Sequence, residues 1–299
     1  MKNKLVLDSF VLKIVALISM TIDHIANFAY MYVDINMRLY TFLKIIGRIS
    51  FVLFLFCSIE SILKTTHKKQ YIIRLGIMSV LAYIVVGFLN SPLFNYGYYA
   101  IQVMNVGNIF IDLFMSSLII LFLLNKKIYV KLLSILPALY LMGGGILKYL
   151  RIDIISVSNL HNLYDGLLGQ YDFLTVILAF GIYFSYYFYD KYCKKVFAND
   201  LSLYNAYKES PDYRWKQNII LSILIVLISV ICYLFGRFSN IPSLITYFPF
   251  EIESYMVLAI PFILFYSGNK GKSNKIIKYG FYAYYPLHLL VLFLIFCFI

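Results

Sequence analysis

The stretch LKIVALISMTIDHIANF, residues 12–28, decides how this chain is read. With its flanks the apolar run covers 10–32, enough for a helix rising 1.5 Å per residue to cross a hydrocarbon core of about 30 Å. Yet it carries Lys13, Asp23 and His24. An ionisable group at membrane depth is costly, so such a group marks a functional site by default.

Working outward, the same criterion accepts 40–62, 72–89, 107–124, 131–149, 172–190, 218–236, 252–267 and 279–299. The expectation is an all-α polytopic membrane protein of nine transmembrane helices. The fifth run is the weakest, being interrupted by Pro137 and Gly143-Gly144-Gly145. The segment 150–171 is too polar to span and reads as a short surface or re-entrant helix. Composition agrees, because 62% of the 299 residues are hydrophobic and 13% are charged, against about 25% charged in soluble domains.

Charge sets the orientation. Of 26 Lys and Arg residues, 19 fall in the segments on the side of the N-terminus and 4 on the other. By the positive-inside rule this places the N-terminus in the cytoplasm and the C-terminus outside. The net charge of +12 then reflects membrane orientation rather than nucleic acid as a partner. Cys57, Cys193, Cys232 and Cys297 lack metal-ligand spacing, so neither a disulfide framework nor a metal is expected. The N-terminus has no small-residue cleavage site and reads as a retained helix. The longest hydrophilic stretch, 191–217, is a connector, which leaves a single domain over 1–299 in a multi-pass plasma-membrane protein. The lack of an internal repeat weighs against a secondary transporter.

Lys13 and His24 are eleven residues apart, three helical turns plus about 20°, so both point to one face about 16 Å apart. Lys13 at the interface is otherwise an anchor that snorkels, and His24 otherwise a helix–helix hydrogen bond. Asp23 projects about 100° away from His24. Asn27 shares the face of His24 and is placed to orient its ring. Asp23 then needs a partner on another helix, and Arg48, in IGRISFVLFLF (46–56), lies at similar depth. A structural Asp23–Arg48 pair and a substrate contact remain equal readings. FYAYYPLHLLVLF (281–293) puts His288 about 14 Å from the inner edge. Pro286 before it frees a carbonyl and bends the helix. Four such residues at one depth point to a site. Glu60 and Asp112 read as helix-pairing groups.

The loop FYSGNKGKSNKIIKYG (265–280) superficially resembles a P-loop, but the glycine required at 266 is Tyr266. Its Gly268, Lys270, Gly271 and Lys272 are still suited to phosphates, against the plainer reading of positive-inside charge.

LKIVALISMTIDHIANF, IGRISFVLFLF, YMVLAIPFILFYSGNKGK and YGFYAYYPLHLLVLFLI together resemble signature stretches of the TraX family, at both ends of the chain and in family order, with a weaker match over 90–215. The resemblance implies an integral membrane acetyltransferase, since the family's named member acetylates the N-terminus of a conjugative pilin subunit. A wider kinship with transmembrane acyltransferase family 3 matches the basic residue, ten residues and histidine of Lys13 to His24. Acetyl-CoA is then the donor, with its phosphates on Lys13, Lys270 and Lys272, and with Asn27 and Tyr285 in the same binding set. His24 is the expected general base. Asp23 supports it through Arg48, and Arg48 or His288 stabilises the oxyanion. An acetyl-histidine relay stays open. The acceptor is an exported peptide or protein N-terminus, or, alternatively, a cell-envelope glycan that is O-acetylated. A proton-coupled transporter using Asp23 and His24, and an assembly component of a secretion system, are the competing classes.

Overall fold

The computed structural model describes residues 5–33, 35–89, 108–150, 167–198, 200–238 and 250–297. They form α1 (Ser9–Tyr32), α2 (Met37–Lys64), α3 (Lys68–Leu89), α4 (Ile109–Leu123), α5 (Ile128–Leu132), α6 (Ile135–Leu150), α7 (Phe173–Val196), α8 (Leu201–Lys208) and α9 (Pro211–Phe238). After these come α10 (Phe250–Glu253), a 3-10 helix (Ser254–Ala259), α11 (Ile260–Leu264) and α12 (Lys275–Cys297). The described residues hold no strand beyond a single bridge between Leu7 and Tyr266.

Seven segments are long and apolar enough to cross a membrane: α1, α2, α3, the joined α5–α6, α7, α9 and α12. Two of the nine expected spans take another form. α4 has 15 residues, about 22 Å of helix, which is short of a core of about 30 Å. The run 252–267 is broken into α10, the 3-10 helix and α11. Pro261 stands in the first turn of α11, where proline starts a helix but cannot continue the one before it. Pro137 does not break the fifth run. It falls in the first turn of α6, where its missing N–H costs nothing.

α2 is the hub, packed against α1, α4, α7 and the 3-10 helix. Phe51, Leu53, Leu55, Phe56, Ile59 and Ile62 are all buried, so α2 is enclosed around its circumference, as expected of a helix apolar all round. The peripheral helices instead expose apolar stripes: Ile73, Ile77, Leu81 and Ile84 on α3, Ile223, Leu227, Val230 and Leu234 on α9, and Leu287, Val291 and Leu294 on α12. Exposed apolar area on this scale fits lipid rather than water.

One end of the bundle is tied by backbone. Leu7 N–H donates to the Phe265 carbonyl (3.0 Å), Ser9 N–H to that of Asn269 (2.9 Å), and Ser267 N–H to that of Leu7 (2.7 Å). Lys64 Nζ at the end of α2 donates to the Gly268 carbonyl (2.8 Å). Gly268 and Gly271 have φ of 83° and 69°, the left-handed region that glycine enters without steric cost. The basic loop is thereby held over the starts of α1 and α12.

Two helix starts lie inside the bundle. Asn108 caps α4 and donates to the Ser79 carbonyl, halfway along α3 (2.7 Å). Asp112 accepts the N–H groups of Gln170 (2.5 Å), Tyr171 (3.2 Å) and Asp172 (3.1 Å) and the Thr175 hydroxyl (2.6 Å). Irregular backbone at membrane depth requires such partners within the protein. Asp112 thus holds a turn as well as a helix pair. Most of the polar segment 150–171 lies outside the described residues; 167–172 forms this interior turn.

Candidate functional site

Phe10, Lys13, Leu17 and Met20 follow one another at helical spacing of three and four along α1. On α12, Lys278, the adjacent pair Phe281 and Tyr282, and Tyr285 fall on successive turns. The two stripes touch through Phe10 and Phe281 (ring centroids 5.9 Å apart) and together line a cavity of about 610 Å³, with α2, α3, α4 and the basic loop. That volume lies within the range of small-molecule sites, about 300–1,000 Å³.

The mouth is basic. Lys64, Arg74, Lys270, Lys272 and Lys278 line it, with half-buried Lys13 further in. Glu60 also lines it, but its carboxylate is held by Lys64 (2.6 Å) and Arg214 (2.9 Å). Among the described residues no carboxylate pairs with Lys13, Arg74, Lys270, Lys272 or Lys278. Lys13 Nζ sits 5.8 Å from the centroid of the Phe281 ring, so its aromatic neighbour leaves the charge for a ligand.

At the inner end each stripe continues into a histidine. His24 is one turn beyond Met20, and His288 is three residues beyond Tyr285. Their ring centroids are 5.1 Å apart, and both are buried. Tyr285 lines the cavity and meets both rings, at 6.2 Å from His24 and 5.7 Å from His288. His288 Nδ1 lies 2.9 Å from the Tyr284 carbonyl. A carbonyl only accepts, so Nδ1 carries the proton and a neutral His288 presents Nε2 as a lone pair. His288 Nε2 and His24 Nδ1 are both buried without a hydrogen-bond partner among the described residues. Buried polar atoms are rarely left so.

Asp23 and Arg48 do not join this pair. Arg48 Nη2 donates to Asp23 Oδ1 (2.5 Å), and Lys44 Nζ reaches the same oxygen (2.8 Å). Arg48 Nη1 is bound by Glu253, and Nε donates to the Lys44 carbonyl (3.3 Å). The four residues expected to form one centre therefore form two. The pairing of Asp23 with Arg48 is as expected from the sequence. The placement of Arg48 as an oxyanion donor is not supported, because its guanidinium is committed to two carboxylates. A neutral His288 has its one N–H committed as well. Asn27 also departs from expectation: its side-chain oxygen accepts from the Tyr40 hydroxyl (3.3 Å), away from His24 Nδ1, and it does not line the cavity. The cause is rotational. Asn27 lies about 300° on from His24, which turns it towards α2. Of the expected binding set, Lys13, Lys270, Lys272 and Tyr285 line the cavity.

Lys44 and Glu253 escaped sequence reading. One signal was present: Lys44 and Arg48 are four apart on one helix face, and two buried cations facing one aspartate require a second acid. Gly47 belongs to the same arrangement, since a Cβ there would collide with the Asp23 carboxylate.

The sequence has no match among curated proteins or solved structures. The sequence model of one family, described as TraX protein, matches residues 9–214. That span includes Lys13, Asp23, His24 and Arg48 and the middle of the chain, and it stops short of the basic loop and His288, which rest on the geometry alone. With more than half of its length matched, the chain belongs to the TraX family.

Proposed function

We propose that the protein is a membrane acetyltransferase that takes its acyl group from acetyl-CoA entering at the basic mouth. The observation that carries this reading is the pair of stripes running from mouth cations that no carboxylate among the described residues pairs towards two histidines that each keep a buried ring nitrogen without a partner among those residues. Phosphates of the donor rest on Lys13, Lys270 and Lys272, and the thioester reaches the inner end. An acceptor amine or hydroxyl attacks the thioester carbonyl carbon, and His24 takes the proton it releases. The carbon–sulfur bond breaks, and the CoA thiolate recovers that proton from His24. The products are the acetylated acceptor and free CoA.

Five of the 19 basic residues on the N-terminal side, Lys64, Arg74, Lys270, Lys272 and Lys278, line the mouth, which in this reading faces the cytoplasm, where acetyl-CoA is made. The chain then crosses the plasma membrane nine times if α4 and the broken segment 250–264 count as crossings. Family membership favours the free N-terminus of an exported, pilin-like peptide as acceptor. A donor site that ends at a pair of bases supports transfer over transport.

The test is purified protein with labelled acetyl-CoA and three acceptors: a peptide with a free N-terminus, the same peptide blocked, and an envelope glycan. Label on the free N-terminus alone is expected. Label on the glycan would move the acceptor, and label on none would overturn the reading.

A further inference from the structure

The cavity stops one ring short of the histidines, and what stops it is aromatic. Tyr285 and Phe110 line its inner end, with centroids 5.5 Å apart and planes at 87°. Met20 lines it on the α1 side, one turn before His24. All three are buried. Phe110 is also rigidly mounted. Its N–H donates to Asn108 Oδ1 (3.0 Å), and its carbonyl accepts the Ser79 hydroxyl (3.1 Å). Asn108 is itself wholly buried. This end wall cannot recede without undoing the cap of α4.

We infer that Phe110, backed by Tyr285, fixes the acyl length of the donor, admitting a two-carbon acyl group and rejecting a four-carbon one. The inference rests on the transferase reading above. With the thioester at the inner end of the cavity, its alkyl group must lie against Met20, Phe110 and Tyr285, the residues that close that end before the histidines. Only the alkyl group on the carbonyl differs between donors, so the bonds made and broken are those already described. A misfitting methylene in a shaped apolar pocket is worth about 10- to 200-fold in specificity.

The experiment compares kcat/KM for acetyl-CoA and butyryl-CoA in the wild-type protein, Phe110→Ala and the milder Phe110→Leu, each checked by thermal melting. The wild type is expected to favour acetyl-CoA by at least about 10-fold. That ratio should fall about 10-fold or more in Phe110→Ala, and part of the way in Phe110→Leu, which stands in if the alanine variant does not fold. A wild type that uses both donors equally, or a folded variant with an unchanged ratio, would overturn the inference while leaving transfer in place. Transfer from neither donor by the wild type would instead overturn the transferase reading itself.

Discussion

Asp23 and His24 are neighbours in α1, and they end in opposite circumstances. Asp23 turns towards α2 and finds Lys44 and Arg48, and Arg48 in turn holds Glu253 from the broken segment. Two acids and two bases balance, and every charge has a partner. His24 turns towards α12 and finds another imidazole, and each ring keeps a buried nitrogen without a partner among the described residues. A closed charge network holds three elements together and offers nothing to a substrate. An open pair one ring beyond the end of a cavity has hydrogen-bonding capacity left over. Adjacent residues therefore meet different partners because one step along a helix is a rotation of about 100°.

Substitutions should separate the two regions. His24→Gln is expected to lower acetyl transfer by about 10²- to 10⁴-fold, with melting temperature and donor affinity near wild type. If transfer survives there and is lost in His288→Gln, the base is His288. Arg48→Met should act the other way. It strands Glu253 and leaves Asp23 to Lys44 alone, at a cost of about 3–5 kcal/mol in stability, read by thermal or chemical denaturation. Adding Glu253→Gln should recover part of the loss, since Glu253 rather than Asp23 is the carboxylate left without a cation. Equal stability of the single and double variants would show that the network does not bind the broken segment. Lys13→Ala should have the smallest effect. The loss of one charge-assisted contact is worth about 1.5–3 kcal/mol, or about 10- to 150-fold in acetyl-CoA affinity, measured by titration calorimetry. Unchanged affinity would make Lys13 an anchor in the interface.

The elements that were legible in the sequence are those whose periodicity is regular. Lys13 and His24 share a face by simple counting, eleven residues being three turns plus about 20°. The class of fold followed from apolar runs. What stayed hidden depends on backbone continuity, which hydropathy does not measure. The run 252–267 is apolar enough to span, yet Pro261 restarts the helix within it, and Glu253, at the end of the short helix that opens it, meets Arg48. α4 begins in mid-bundle because Asn108 finds Ser79, a contact between residues far apart in the chain. The division of the site into two clusters was implicit in the angle between Asp23 and His24, but similar depth alone grouped them. Asn27 was misplaced because sharing a flank of a helix is weaker than facing the same partner.

The central claim is that the acyl end of a donor bound through the basic mouth arrives at the two histidines. An acyl-CoA analogue with an electrophilic acyl group, bromoacetyl-CoA, tests it most directly. A Cys57→Ser background is used because that thiol lines the same cavity. After incubation, the alkylated residue is mapped by mass spectrometry, with and without excess acetyl-CoA. The expected result is a label on His24 or His288 that acetyl-CoA suppresses. A label confined to Lys270, Lys272 or other residues of the mouth, or one that acetyl-CoA leaves unchanged, would contradict it.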